Sequence, residues 1–147
     1  MPDSPLELQA SPTGRKVMKV TYDPHLLGPA GEQIAADYLA NQGFHIIERN
    51  YRFHRNEIDI IARHQQTLCF VEVKTRFSSA KGHPAEAVTP QKQREIIKAA
   101  RAYLALSGNI DIDCRFDVVA ILVQGMVENR IDSFTVEHFQ DAFWANS

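Results

Sequence analysis

The chain has little cysteine, no surplus of positive charge and no long apolar run. Cys69 and Cys114 are its two cysteines, far apart and without a C-x-x-C spacing. That excludes a zinc ribbon and a dithiol redox motif. Each sits in an apolar run, which reads as two buried thiols in a reducing compartment. The formal net charge of -2 excludes a protein that coats nucleic acid by bulk positive charge. Any nucleic-acid contact must use a local basic surface. The N-terminus lacks the apolar stretch of a secretory signal, and no run approaches the roughly 20 apolar residues of a membrane span. The expectation is a cytoplasmic protein with no membrane partner. A Gly-rich phosphate loop and a Ser/His/Asp order are also missing, and the histidines show no metal-ligand spacing.

What is present suits one domain. The 147 residues, 44% of them apolar, allow a single hydrophobic core. Residues 1–28 read as a disordered tail, because Pro2, Pro5, Pro12 and Pro24 are mixed there with Ser, Thr and Gly. Residues 29–147 form the domain. Ile34, Ala35, Tyr38 and Leu39 recur at helical spacing before a stop at Asn41-Gln42-Gly43. Strands are predicted at Phe44–Arg49, Glu57–Arg63 and Thr67–Lys74. After a loop from Thr75 to Val88, Thr89 caps a helix with Pro90 in its first turn. That helix presents Ile96, Ala100, Tyr103 and Leu104 on one face and ends at Ser107-Gly108-Asn109. Arg115–Val123 and Ile131–Val136 read as strands, and Glu137–Trp144 as a short closing helix. The order αβββαββα predicts an α/β domain, a mixed sheet with helices packed on it.

The third strand holds the most informative residues. In Leu68-Cys69-Phe70-Val71-Glu72-Val73-Lys74, side chains alternate between faces, so Glu72 and Lys74 point the same way. The run is otherwise apolar on both faces, which marks a central, covered strand. An acid and an ammonium placed there cost desolvation free energy unless they pair or bind something. The second strand repeats the anomaly. Ile58, Ile60 and Ala62 share one face, while Glu57, Asp59 and Ile61 share the other. If the two strands form a hairpin, Asp59 approaches Glu72. Two carboxylates about 4 Å apart repel by roughly 4 kcal/mol at an effective dielectric near 20. A divalent cation removes that repulsion, and hard oxygen ligands suit Mg2+ or Mn2+. Lys74 beside such an ion can orient water and stabilise charge developing at a phosphorus centre. An ion pair between Glu72 and Lys74 is the bland alternative.

At these residues the chain resembles the YraN-like family of small bacterial proteins, and through it the PD-(D/E)xK nucleases and archaeal Holliday-junction resolvases. The likeness covers about residues 30–144. Its landmarks are Gly31-Glu32, Arg49-Asn50-Tyr51, Asn56-Glu57-Ile58-Asp59, Phe70 to Arg76, Thr89 with Lys92, and Arg115-Phe116-Asp117. The resemblance implies a restriction-endonuclease-like core and a Mg2+- or Mn2+-dependent endonuclease that hydrolyses DNA. It implies Asp59 and Glu72 as metal ligands, Lys74 as the catalytic lysine, and Glu32 reaching the metal from the first helix, directly or through water. Without it, Glu32 reads as a first-turn acid complementing the helix dipole. Asn56 stands where the family usually has Gly, and Asn tolerates the positive φ a turn there could need. Asp117 matches the family pattern, with pairing to a nearby cation as the default. A homodimer is expected on a two-fold substrate such as a junction.

The segment from Arg49 to Arg55 interleaves cations with aromatics. Arg52 and Arg55 are candidates for phosphate contact, and the rings for stacking on unpaired bases. A solvated hairpin connection is the plain alternative. Arg76, Lys81 and His83 suggest a second basic loop; Arg76, and by the family resemblance Lys92 at the start of the long helix, join Arg52 and Arg55 as candidates for nucleic-acid contact. Branched or single-stranded DNA is the expected substrate. Two other readings fit the same residues: a catalytically inactive nucleic-acid-binding module of this fold, and a protein-interaction factor whose polar cluster is structural.

Overall fold

The computed structural model describes residues 7–10, 16–19, 24–77, 88–108 and 111–145. Strands β1 (Glu7–Ala10) and β2 (Lys16–Lys19) pair antiparallel in a ribbon of their own. Helix α1 spans Pro24–Asn41. Then follow β3 (His45–Phe53), β4 (Asn56–His64), β5 (Thr67–Phe77), helix α2 (Pro90–Ser107), β6 (Asp113–Val127) and β7 (Arg130–Phe143). The five later strands form one sheet in the order β3-β4-β5-β6-β7. Only β5 and β6 run parallel, with α2 between them in sequence; the other pairings are antiparallel. This is the expected mixed-sheet α/β architecture, consistent with a restriction-endonuclease-like core, and β5 is central in it.

Alternation along β5 divides the interior. Cys69, Val71 and Val73 face α1 and pack with Leu27, Ala35, Ala36 and Leu39. Leu68 and Phe70 face α2 and pack with Ile96, Ala99 and Ala100. Each fully buried large side chain in these layers stabilises the fold by about 1.5–3 kcal/mol. Helix α2 follows its sequence signals closely. The Thr89 hydroxyl accepts from the Lys92 N–H at 3.2 Å, Pro90 occupies the first turn, and Gly108 closes the helix at φ 78.

The β1–β2 ribbon lies within residues 1–28, which composition assigned to a disordered tail; two further elements differ from expectation. Helix α1 takes in residues 24–28, which composition assigned to the tail. Pro24 suits a first helical position, Pro29 forfeits one i→i−4 bond near the helix start, and Leu27 is buried at 5% exposure in the core. Glu32 therefore lies mid-helix, not in a first turn. The predicted closing helix at Glu137–Trp144 is instead the far half of β7, ending at Phe143. Val136 faces the α1 side, whereas Phe139 and Phe143 face the α2 side. The pairs Phe116↔Phe143 and Val118↔Phe139 leave extra residues on β7, where Asp141 takes φ 54. This bulge spaces the apolar residues as a helix would.

Left-handed residues close the hairpins. His54 (φ 57) turns β3 into β4, Gln65 (φ 58) turns β4 into β5, and Glu128 and Asn129 (φ 51 and 64) turn β6 into β7. Asn56 is not left-handed; that backbone role falls to His54. Cys69 is buried as expected, but Cys114 is exposed. Lys81, His83 and most of the loop after Arg76 lie outside the described residues, as does Asn109.

Candidate active site

The acidic site sits where β4 parts from β5. Their register runs from His64↔Thr67 to Ile60↔Val71 and ends there. One step further, the Val73 N–H donates to Asp59 Oδ2 at 2.7 Å. A side-chain carboxylate thus takes the place of a ladder carbonyl. Across from Asp59 on β3, between the pairs Arg49↔Ile60 and Tyr51↔Ile58, Asn50 adopts φ 54. The alternation of β4 breaks at this point. Ile60 and Ala62 pack on the α1 side, but Ile58 joins Ile61 on the α2 side. The face shared by Ile58, Ile60 and Ala62 in a regular strand is therefore not kept.

The cleft at the fork holds about 320 Å³ and draws Glu32 from α1, Asp59 from β4, and Glu72 and Lys74 from β5. The four residues singled out in the sequence thus line one cavity. Glu72 is buried at 4% exposure. Burial pushes its carboxyl up to about 8, reinforced by the charge of Asp59 and a hydrogen bond between the two side chains. Lys92, from the first turn of α2, and Lys74 pull the other way. Lys74 Nζ lies 3.5 Å from Glu72 Oε2. Glu32 is also raised, first by burial and then by Asp59 and Glu57, against the opposing pull of Arg49 and a hydrogen bond with Asn50.

One acid joins the site that sequence reasoning left out. Carboxylate oxygens of Glu32, Glu57 and Asp59 lie within 4.8 Å of one another. Glu57 was visible as the residue two before Asp59 on the same strand, with no apolar setting to mark it as unusual. Glu72 is not in that close trio; its contacts are to Asp59 and Lys74. The donors are all hard carboxylate oxygens, the kind that Mg2+ and Mn2+ prefer.

The basic candidates divide. Arg52 pairs with Glu57 at 2.9 Å, and Arg55 is exposed at the β3–β4 turn. Arg76 continues β5 two residues beyond Lys74 and belongs to the strand, not to a loop. Lys92 is half-buried and electrostatically coupled to Glu72. The rings of this hairpin are less available than the sequence suggested. Tyr51 meets Tyr103 edge-on at 5.2 Å, and both Tyr51 and Phe53 pack against the α2-side core.

Asp117, itself fully buried, belongs to a separate cluster. It accepts from Arg115 at 2.9 and 3.2 Å, from the Asp141 N–H at 3.0 Å, and lies 2.8 Å from His138 Nε2. Burial alone would raise its carboxyl, but the bonds from His138, Arg115 and Asp141 hold it below the usual range. Pairing with a nearby cation, Arg115, is thus its observed role. A larger, mainly apolar groove of about 710 Å³ lies elsewhere, between α1 and the β6–β7 turn. Its size is no guide to the chemistry, since Glu32, Asp59, Lys74 and the buried Glu72 gather at the fork.

Residues 31–121 match the model of uncharacterised protein family UPF0102. A UPF0102 protein of Chlorobium limicola is 65% identical over 123 residues, 84% of this chain and 95% of that relative. One from Chlorobium phaeobacteroides is 60% identical over 123 residues, covering 84% and 97%. A more distant one, from Geobacter sulfurreducens, is 47% identical over 118 residues, covering 80% and 88%. The chain belongs to the uncharacterised protein family UPF0102, the YraN family whose landmarks its sequence carries.

Proposed function

We propose that this chain is a Mg2+- or Mn2+-dependent nuclease that hydrolyses phosphodiester bonds in DNA, with branched or single-stranded DNA as its substrate. The observation that carries the reading is the gathering of Asp59, Glu72, Lys74 and Glu32 in one cleft. Two acids share a buried hydrogen bond there, a poor arrangement for a purely structural core. Asp59 and Glu32 would hold the cation, with Glu57 close enough to assist and Glu72 completing the set once ionised. When bound, the ion supplies positive charge that polarises a phosphoryl oxygen and acidifies water.

The chain's own groups do the rest. Asp59 is fixed by the Val73 N–H, so its second oxygen is presented without free rotation. Lys74 is anchored beside Glu72 with about a third of its side chain exposed, which leaves the ammonium accessible to a phosphate in the cleft. There it can orient an attacking water and face the negative charge that builds as the new P–O bond forms and the old one breaks. Lys92 adds a second positive charge on the α2 side. A cytoplasmic setting accords with the free thiols Cys69 and Cys114.

The test is a cleavage assay on single-stranded, duplex, flap and four-way-junction DNA with Mg2+ or Mn2+. Wild type should cut at least one of these. Asp59→Asn and Glu72→Gln should lose both cleavage and metal affinity. Lys74→Ala should lose cleavage while retaining metal, because the lysine acts on the transition state. Metal binding without cleavage of any substrate would reject the enzyme and leave a binding module. Equal Mn2+ affinity in wild type and an Asp59→Asn/Glu72→Gln double variant would reject the site.

A further inference from the structure

Gly31 is buried on the inner side of α1, where the helix crosses β5. Its φ is not left-handed, so the reason for glycine is space and not backbone freedom. A Cβ built at residue 31 would overlap Thr75 Oγ1 and lie 2.9 and 3.1 Å from Thr75 Cβ and Cγ2. All three side-chain atoms of Thr75 therefore sit where a side chain at residue 31 would stand, whereas the other glycine of α1, Gly28, has open space around it. Thr75 follows Lys74 on β5, and Glu32 follows Gly31 on α1. The contact joins the immediate neighbours of two residues of the acidic cleft, and Thr75 itself lines that cleft.

We propose that Gly31 and Thr75 are positioning residues that set the height of α1 above β5 and so place the Glu32 carboxylate against Asp59. The inference rests on the metal-binding reading of the cleft. Glu32 reaches the cleft from a different element than Asp59, Glu72 and Lys74, so the α1–β5 spacing enters directly into its distance from them. Metal ligation tolerates only a few tenths of an ångström in ligand distance. Any side chain at residue 31 must lift the helix or displace Thr75, and either movement reaches the cleft. Arg49, donating to Gln33 at 2.8 Å, ties the outer side of the same helix turn to β3. A lifted helix would have to break this bond as well.

The experiment measures Mn2+ affinity by calorimetry and thermal unfolding for wild type, Gly31→Ala, Thr75→Ala and the Gly31→Ala/Thr75→Ala double variant. Gly31→Ala should weaken Mn2+ binding by on the order of tenfold or more, the usual effect of disturbing groups that orient ligands. Adding Thr75→Ala removes Oγ1 and Cγ2 and should recover much of that loss. A destabilised helix without a positioning role would lower the unfolding temperature but leave the affinity of the folded protein unchanged. If Gly31→Ala does not fold, the comparison passes to the double variant against Thr75→Ala. The remaining approach to Thr75 Cβ at 2.9 Å must then still weaken binding. Wild type and Gly31→Ala (or, in the fallback, Thr75→Ala and the double variant) binding Mn2+ equally would overturn this inference and leave the metal-binding reading intact. No Mn2+ binding by wild type would overturn that reading and this inference with it.

Discussion

Glu72 should make the metal-free protein less stable as pH rises, and Glu72→Gln should remove that loss. The folded-state pKa is pushed from 4.5 up to about 8, chiefly by burial and then by Asp59. A raised carboxyl binds its proton more tightly in the folded than in the unfolded chain. Its contribution is therefore fully present below pH 4.5 and is lost as pH climbs towards 8. At about 1.4 kcal/mol per pH unit, the loss reaches on the order of 3 kcal/mol by pH 7 and 5 kcal/mol above pH 8. For a chain of this size, 3 kcal/mol corresponds to a melting-temperature change of roughly 10 °C. Thermal unfolding in chelator from pH 4.5 to 8.5 should show wild type falling behind Glu72→Gln as pH rises. Titrations common to both proteins cancel in the difference. Mn2+ added at pH 8 should stabilise wild type more than the variant, since an ionised Glu72 completes the set of carboxylates around the cation. Parallel pH profiles for the two proteins would refute the buried, proton-sharing description of the cleft.

Two further outcomes follow from the structure. Asp117→Ala should destabilise the fold by about 3 kcal/mol in denaturant unfolding, because it leaves the largely shielded Arg115 and His138 without their acceptor. The depressed carboxyl works in the opposite sense to Glu72. Its stabilisation is present above the ordinary value of 3.8 and lost as pH falls through the lower folded value, so acid unfolding should move to higher pH in the variant. On DNA, competition titrations at fixed salt should rank junction and single strand above blunt duplex. Arg55→Ala should weaken binding more than Arg52→Ala, since Arg52 is already paired with Glu57. Affinity should fall steeply with salt, each lost phosphate contact on duplex reducing the slope by about 0.9. Equal affinity for all three DNAs, untouched by either substitution, would leave the substrate assignment without support.

Local signals explain which elements were legible. Helix α2 could be read almost to the residue because Thr89, Pro90 and Gly108 mark its ends by mechanisms that need no tertiary partner. The central place of β5 was legible because residues 68 to 73 are apolar on both faces apart from Glu72. The start of α1 was not, because Pro24, Gly28 and Pro29 all read as breakers. What holds that turn is the burial of Leu27 against the sheet, a contact with no local signature. The end of β7 was misread because its bulge opposite Phe116 and Val118 spaces apolar residues at a helical interval. For Tyr51 and Phe53 the sequence allows either stacking on bases or an inward-turned ring in a hairpin connection; their period-2 spacing fits a strand face, and the α2-side core occupies both.

The site divides along the same line. Glu72 and Lys74 were found by parity on a strand too apolar to tolerate them idly. Asp59 was found by chemistry, as an acid among isoleucines, but its geometry was hidden. Regular alternation would have paired it through the ladder; instead β4 leaves β5 at Ile60 and the Asp59 carboxylate takes over the Val73 N–H. Breaking a ladder at that point has a use. A continuous sheet would keep neighbouring strands near 4.8 Å apart and close the space between them, whereas the fork opens a cleft into which side chains from both layers reach. The same opening brings Asp59 against Glu72 in poor solvent, where their mutual repulsion is relieved by a proton or by a cation. Asn50, left-handed across from Asp59, marks the same break on the β3 side. Strand regularity is given up on both sides of one acid, and the consequence is a concentrated negative field facing Lys74 and Lys92. That coincidence of a broken ladder, a left-handed residue and a buried Glu72 held against Asp59 is hard to explain by packing alone, because an isoleucine at residue 59 would satisfy packing without any of it.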